Sequence, residues 1–196
     1  DELGMEATII DQFDEDAGFY DALLSQYRDE GEMVLWLGDI MKAGPQAAFK
    51  RFLERGGRLL LSSFEFTEDP EAQGFIEDML HVVRTRPVAL SALRTLYLRD
   101  PAEFNVEHHW LEMEPPAEPL LLNPDYHPVG LRLDTGVYRT VYMPFDLRRL
   151  PTEVVVPLIR SEMLFLQQQV EPGVELELGN TVQVGRAHAV ASSSPV

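Results

Sequence analysis

The sequence of 196 residues contains no cysteine. This absence excludes thiol catalysis, thiolate metal ligands and disulfide bonds. Basic residues are also scarce, because 16 Lys and Arg stand against 33 Asp and Glu and leave a net charge of −17. A chain with this charge is repelled by phosphate, so we expect neither nucleic acid nor an anionic membrane as a partner. No apolar run approaches the roughly 20 residues that cross a bilayer, so we expect no membrane insertion.

Several motifs of cofactor and hydrolase sites are missing as well. The sequence has no Gly-x-Gly-x-x-Gly and no other phosphate-binding loop, so we expect no nucleotide cofactor. It has no Gly-x-Ser-x-Gly, the motif that displays a nucleophilic serine on a strained turn. We therefore predict no catalytic residue from motifs alone.

The most informative segment that is present runs from residue 33 to residue 64. Met33 to Leu37 is an unbroken apolar run, which indicates a strand covered on both faces. A helix is predicted from about Pro45, and Gly56-Gly57 ends it before a second apolar run at 59–61. Two buried strands joined by a helix form a right-handed parallel unit. The segment therefore predicts an open α/β sheet.

The rest of the chain predicts further elements of the same kind. We expect strands over 5–10 and 138–145, and helices over about 19–28, over 70–82 and from Pro157 to Leu166. Between 84 and 130, seven prolines predict irregular structure without long elements. The expected fold is a mainly parallel sheet with helices on both faces.

Both ends of the sequence indicate a slice of a longer protein. The first residues are typical of the last turn of a helix, which implies that a strand and a helix precede it. Residues 174–184 alternate between apolar and polar residues around a Gly-Asn turn, which is typical of a hairpin. We therefore interpret 1–169 as an α/β domain and 170–196 as a linker and the start of a β-type module.

Three phrases carry a resemblance to a known family: VLWLGD, FLERGGRLLLSS and YRTVYMPFDLRRLP. Together they resemble the class I glutamine amidotransferase-like superfamily, in the branch found as a non-catalytic domain of multidomain bacterial secreted or surface proteins. The resemblance covers residues 1–169 and implies a flavodoxin-like three-layer sandwich. Amidotransferases of this superfamily carry a cysteine nucleophile, so their chemistry is excluded here.

Candidate ligand-binding residues follow the predicted parallel strands, at the edge where open α/β sheets usually place their ligand crevice. They are Asp11, Asp14, Asp16, Asp39, Ser62 and Ser63. The spacing Asp-x-Asp-x-Gly from residue 14 is similar to a calcium loop, but the glycine comes one position early and the terminal Glu is missing. We interpret this segment as a solvated acidic loop and predict no metal site.

Two adjacent histidines, His108 and His109, are a weaker candidate. With Glu107 or Glu112 they could supply metal ligands. Neighbouring residues of a strand point to opposite faces, however, so one site would gain only one of them. We therefore interpret the pair as part of a polar strand or loop edge.

These features leave three classes of function open. The first is a non-catalytic structural or interaction domain of a larger extracytoplasmic bacterial protein, with neighbouring domains of the same polypeptide, protein or carbohydrate as partners. The second is a carbohydrate-handling accessory domain, which clustered exposed aromatics around Trp110 and Tyr126 would support. The third is a divergent serine hydrolase that uses Ser62 or Ser63 with a histidine. We expect the first.

Overall fold

A computed structural model describes residues 22, 24, 33–37, 43–68, 70–96 and 103–167. Its centre is a seven-stranded mixed sheet with the strand order β1-β2-β7-β6-β5-β3-β4. The strands are β1 (Met33–Leu37), β2 (Arg58–Ser62), β3 (Val82–Thr95), β4 (Glu103–Met113), β5 (Glu118–Leu122), β6 (Pro128–Asp134) and β7 (Arg139–Met143). The helices are α1 (Ala43–Glu54), α2 (Gln73–Leu80) and α3 (Thr152–Gln167). Short 3-10 turns precede α2 and α3.

The parallel part of the sheet consists of β1, β2 and β7. Leu35 pairs with Leu60 across β1 and β2, and Leu60 pairs with Val141 across β2 and β7, in both cases in parallel. The strand–helix–strand unit predicted at 33–64 is therefore confirmed. Gly56 ends α1 at φ +90°, and the N–H of Gly57 donates to the carbonyl of Phe52 at 3.0 Å.

The other four strand pairs are antiparallel, so the expectation of a mainly parallel, flavodoxin-like sandwich is wrong. The expectation of irregular structure over 84–130 is wrong for the same region, which holds β3, β4, β5 and β6. Four of the described prolines of this region sit where strands tolerate them. Pro115 and Pro116 lie in a turn, Pro124 lies in another, and Pro128 is the first residue of β6.

Two prolines lie inside strands: Pro119 is the second residue of β5, opposite Leu131 of β6, and Pro87 lies in β3 opposite His109 of β4. The N–H of His109 points away from β3 and donates to the carbonyl of Pro144 at 3.2 Å. Pro87 and His109 therefore form a non-hydrogen-bonded pair, in which β4 does not need an N–H donor from Pro87. β5 pairs with β3 only at Arg94 and Thr95, so no partner strand among the described residues requires that N–H on the other side.

Two apolar cores lie on opposite faces of the sheet. In β2, Leu59 and Leu61 face the core formed with α1 and α2, whereas Leu60 faces the core formed with α3. Tyr142 of β7 is fully buried in the first core. The apolar run of β2 occurs because both faces of this strand are covered. The expectation that β1 is covered on both faces is wrong, because Leu35 is 42% and Leu37 38% exposed. Helices on both faces were expected, and the structure has them.

α3 begins at Thr152, five residues before the predicted start at Pro157. The N–H groups of Val154 and Val155 both donate to the carbonyl of Pro151, which closes the first turn. Pro157 is exposed and lies inside the helix. The prediction was wrong because a proline favours the first turn of a helix but does not require it.

A buried ion pair attaches α3 to the sheet. Arg132 of β6 donates from Nε and Nη2 to the two carboxylate oxygens of Glu162, at 2.6 and 2.7 Å. The guanidinium groups of Arg132 and Arg139 lie 5.1 and 5.8 Å from the ring centre of Phe165. Arg139 is also paired with Asp134 at 2.7 Å. Bidentate geometry fixes both the position and the rotation of α3 on the sheet.

Several expectations fall on residues whose structure is not described here. They are the strand at 5–10, the β-type extension at 174–196 and most of the helix at 19–28. Ala22 and Leu24 are helical, and Leu24 is buried against the core of α1 and α2. The division at residue 169 remains a prediction. In the described part of the chain no helix has the length and apolar character needed to cross a membrane.

Candidate functional site

The carboxyl ends of β2 and β7 form the edge where ligand-binding residues were predicted. Ser62, the last residue of β2, is buried. Its hydroxyl donates to the carbonyl of Phe145 at 2.6 Å and accepts from the N–H of Leu147 at 3.1 Å. The side chain therefore joins β2 to the segment that follows β7.

Ser63 is also buried, and its hydroxyl accepts from the N–H of Phe66 at 3.3 Å. It thereby caps the 3-10 turn at 65–68. Both serine hydroxyls are thus bonded to backbone groups. The ligand-binding role of Ser62 and Ser63 remains a prediction, and Asp11, Asp14, Asp16 and Asp39 lie outside the described residues.

Strand β4 crosses this same edge. The N–H of His109 donates to the carbonyl of Pro144, directly after β7. The His109 ring packs on the ring of Phe64, directly after β2, with 4.7 Å between their centres. Arg149 and Glu107 add an exposed ion pair at 3.5 Å. At the carboxyl ends of β2 and β7, the crevice that open α/β sheets use for ligands is therefore covered by β4.

Both histidines of β4 are buried, so their interpretation as a polar strand or loop edge is wrong. Nδ1 of His108 lies 3.0 Å from the carbonyl oxygen of Val106, while Nε2 has no hydrogen-bond partner among the described residues. Burial lowers the pKa of His109 to about 4, with a further contribution from His108. Burial also lowers the pKa of His108, against the opposing hydrogen bond to Val106. Both rings are therefore neutral at pH 7.

The pair is not part of a metal centre in the described structure. No group of three or more His, Asp or Glu side chains within those ranges is arranged to hold a metal ion. The His109 ring instead packs on Phe64 at the end of β2, and Nδ1 of His108 lies against the carbonyl of Val106. Both rings therefore act as neutral, buried side chains of the fold.

A rigid, exposed aromatic surface lies beside this covered edge. The turn at 123–127 joins β5 to β6, and Asn123 holds it together. Asn123 Oδ1 accepts from the N–H groups of Asp125 and His127 at 3.1 and 2.9 Å, and its carbonyl accepts from the N–H of Tyr126 at 2.9 Å. Tyr126 has a φ of +63° and is 80% exposed.

At His127, the residue after Tyr126, two rings are stacked and a guanidinium group lies over one of them. The His127 ring lies on the Trp110 ring with 5.0 Å between centres and an interplanar angle of 21°. The guanidinium carbon of Arg86 lies 5.4 Å from the centre of the Trp110 ring. We call Arg86, Trp110, Tyr126 and His127 the turn surface. Trp110 and Tyr126 were expected from the sequence. Arg86 and His127 were not, because they reach Trp110 only through the pairing of β3 with β4 and the closure of the turn.

An open cleft with a volume of about 480 Å³ lies at the opposite end of the parallel strands. Its walls are formed by Glu54, His81, Pro116, Thr135, Val137 and Tyr138. The Tyr138 hydroxyl donates to the carbonyl of Met79 at 3.2 Å. Burial raises the pKa of Tyr138, and the carboxylates of Asp78 and Glu54 raise it further. The tyrosine is therefore a neutral hydrogen-bond donor to the backbone and no base.

No protein-family model and no curated protein matches the chain. Solved structures do match it. Gan42B, a GH42 β-galactosidase, is 15% identical with a TM-score of 0.52, and the match covers 73% of this chain and 22% of that one. The mmIFT52 N-terminal domain is 15% identical with a TM-score of 0.50, and the match covers 69% of this chain and 78% of that one. The exo-β-1,4-mannosidase Op5Man5 from Opitutaceae bacterium strain TAV5 is 16% identical with a TM-score of 0.49, covering 69% and 25%.

At these identities Gan42B and the IFT52 domain show the fold alone. The chain spans about a quarter or less of the length of the two glycoside hydrolases. The expected resemblance to the class I glutamine amidotransferase-like superfamily is wrong, since these structures and the mixed sheet stand in its place. The phrases that carried it describe a strand–helix–strand unit, and such a unit is common to many α/β proteins.

Proposed function

We propose that this chain is a non-catalytic structural or interaction domain of a larger protein. The observation that carries the proposal is the closed carboxyl edge of β2 and β7. There Ser62 is bonded to Phe145 and Leu147, and His109 packs on Phe64 and is bonded to Pro144. A nucleophile needs a hydroxyl that an adjacent base can deprotonate and that a substrate can reach. Buried serines held by backbone groups meet neither need.

The matched structures support the part of the proposal that concerns a larger protein. The chain matches about a fifth of the length of Gan42B and most of the mmIFT52 N-terminal domain. A fold that recurs as part of longer chains suits a domain that works beside others. The extracytoplasmic bacterial setting remains a prediction from the sequence.

The turn surface supports the part of the proposal that concerns interaction. An aromatic residue held at positive φ costs roughly 1–3 kcal/mol in backbone strain. Tyr126 bears this strain while 80% of its surface is exposed, so it gains little from packing in return. Such a residue is better explained by contact with a partner than by the stability of the fold.

The proposal is tested by searching for a reactive serine. The purified chain is treated with a fluorophosphonate probe and assayed on ester, amide and glycoside substrates. We expect no labelling and no turnover. Labelling of Ser62 or Ser63 that disappears in the corresponding alanine variant would establish a hydrolase and overturn the proposal.

Stability measurements complete this test. Ser62→Ala removes a donor and an acceptor from two buried backbone groups and is expected to lower the free energy of unfolding by about 2 kcal/mol. Ser63→Ala removes one long hydrogen bond and serves as the matched control with a smaller loss. Equal stability of Ser62→Ala and the parent chain would show that the hydroxyl does not hold this edge together.

A further inference from the structure

The turn that carries Tyr126 is preorganised. Four hydrogen bonds hold its turn, three of them to the side chain or carbonyl of Asn123 and one from the N–H of Asn123 to the carbonyl of His127 at 3.1 Å. Asn123 itself is buried. A backbone fixed in this way loses little conformational entropy when the turn binds a partner, which favours affinity.

The groups around Tyr126 define the chemistry of the partner. His127 is exposed and lies flat on Trp110, and Arg86 lies against the same indole. The surface therefore combines aromatic faces with hydrogen-bonding edges, and Asp125 adds an exposed carboxylate in the same turn. Sugar rings present C–H groups that aromatic faces attract, and hydroxyl groups that such edges bind.

The net charge of the chain disfavours one class of ligand at the turn surface. The chain carries a net charge of −17, so an anionic glycan or a phosphorylated partner is repelled at long range. A neutral sugar is not affected by this field. An apolar peptide would need an extended apolar patch, whereas the neighbours of Tyr126 at this turn are the polar Asp125 and His127.

We propose that the turn surface, formed by Arg86, Trp110, Tyr126 and His127, binds a neutral oligosaccharide, with Tyr126 stacking on a sugar ring. This inference rests on the proposed interaction function and names its ligand class. It places the ligand outside the closed edge of β2 and β7 and away from the cleft at the amino ends of the strands.

The decisive variant is Tyr126→Asn. Asparagine accepts positive φ more readily than tyrosine, so the variant is expected to fold with equal or higher stability. It lacks the ring, so it is expected to lose binding. Any loss of binding is thereby separated from a loss of folding.

Binding is measured by saturation-transfer NMR and calorimetry with neutral galacto-, manno- and cello-hexaose at millimolar concentration. We expect saturation of sugar C–H protons by the parent chain with at least one of these probes, and a fall in affinity of about tenfold or more in Tyr126→Asn. Val137→Ala removes a side chain that is 61% exposed at the other end of β6 and is expected to bind as the parent does. Addition of salt is expected to leave the affinity unchanged.

Two results would overturn the inference. One is the absence of saturation transfer from all three probes, and the other is unchanged affinity in Tyr126→Asn. An oligolysine peptide is measured in parallel. Binding of that peptide in place of the sugars, lost in Tyr126→Asn, would refute the glycan ligand but leave the interaction function intact, whereas serine labelling would refute the function itself.

Discussion

The buried histidines predict a specific loss of stability in mild acid. His109 is 2% exposed, and burial is the main cause that lowers its pKa to about 4, followed by the neighbouring His108. In the unfolded chain its pKa is that of an ordinary histidine, about 6.5. Above that pH His109 is neutral in both the folded and the unfolded chain, and the free energy of unfolding keeps its full value. Between the two pKa values the unfolded chain binds a proton that the folded chain does not, so stability falls as the pH falls.

The magnitude follows from the gap between these two pKa values. At about pH 5 the gap costs roughly 2 kcal/mol of unfolding free energy from His109 alone, and below pH 4 the loss levels off near 3 kcal/mol. His108 adds to the loss, because its pKa is lowered as well. The comparison is best made near pH 5, since the isoelectric point of about 4.5 favours aggregation at lower pH.

The variant His109→Phe keeps a ring against Phe64 but cannot bind a proton. Urea unfolding, followed by circular dichroism, is measured at about pH 7 and pH 5 for the parent and the variant. We expect the parent to lose roughly 2 kcal/mol more than the variant between the two pH values. Any constant cost of the larger ring cancels in this difference.

Phe64→Leu is the matched control, because it alters the same contact without a titrating group. Its effect on the unfolding free energy is expected to be equal at both pH values. If His109→Phe and the parent lose the same stability between the two pH values, then His109 is protonated in the folded chain and the structural reasoning fails.

Two further predictions concern packing. Glu162→Gln leaves the buried Arg132 without its carboxylate and is expected to lower the free energy of unfolding by about 3 kcal/mol, measured in urea. The control Glu112→Gln breaks an exposed contact of 3.9 Å and is expected to lower it by less than about 1 kcal/mol. Equal losses in the two variants would mean that the buried pair does not hold α3. Gly130→Ala would place a methyl group 2.8 Å from the carbonyl oxygen of Tyr142 at φ +73° and is expected to cost about 3 kcal/mol or more. Gly136→Ala at φ +78°, with nothing within 4 Å, is expected to cost about 1 kcal/mol, and an equal effect at both glycines would refute the close approach.

The parallel part of the fold was predictable because its signals are local. β1 and β2 are short apolar runs, and the helix between them ends at two glycines, one of which does adopt positive φ. β2 is buried on both faces, which makes its sequence continuously apolar, whereas β1 leaves Leu35 and Leu37 exposed. The pattern therefore identified these elements and their parallel pairing.

The antiparallel part was not predictable, because β3 and β4 lack a regular period of two. The β3–β4 pairing shifts register between Val82 and Arg84 and again between Val88 and Ser91. Each shift moves the following side chains to the other face, so apolar and polar residues no longer alternate along the strand. Pro87 inside β3, together with the prolines of the following turns and strands, then favoured the interpretation as irregular chain.

The candidate site was hidden from the sequence for a related reason. Ser62 and Ser63 do follow a parallel strand, as predicted, but the cover of that edge comes from His109, nearly fifty residues further along the chain. Neighbours in space that are distant in sequence leave no trace in a local pattern. Stacking of His127 on Trp110 likewise depends on the turn geometry that Asn123 imposes.

The register of β6 connects the closed edge with the turn surface. β6 runs antiparallel to β7, with Leu131 opposite Tyr142, so the start of β6 lies beside the carboxyl end of β7. The turn at 123–127 therefore stands at the same end of the sheet as Ser62 and Pro144. Open α/β sheets bind ligands at this end because strand ends and loops diverge there. Here β4 fills the space between the diverging strand ends. A ligand at this end would therefore bind on the outer surface, where Tyr126 is exposed.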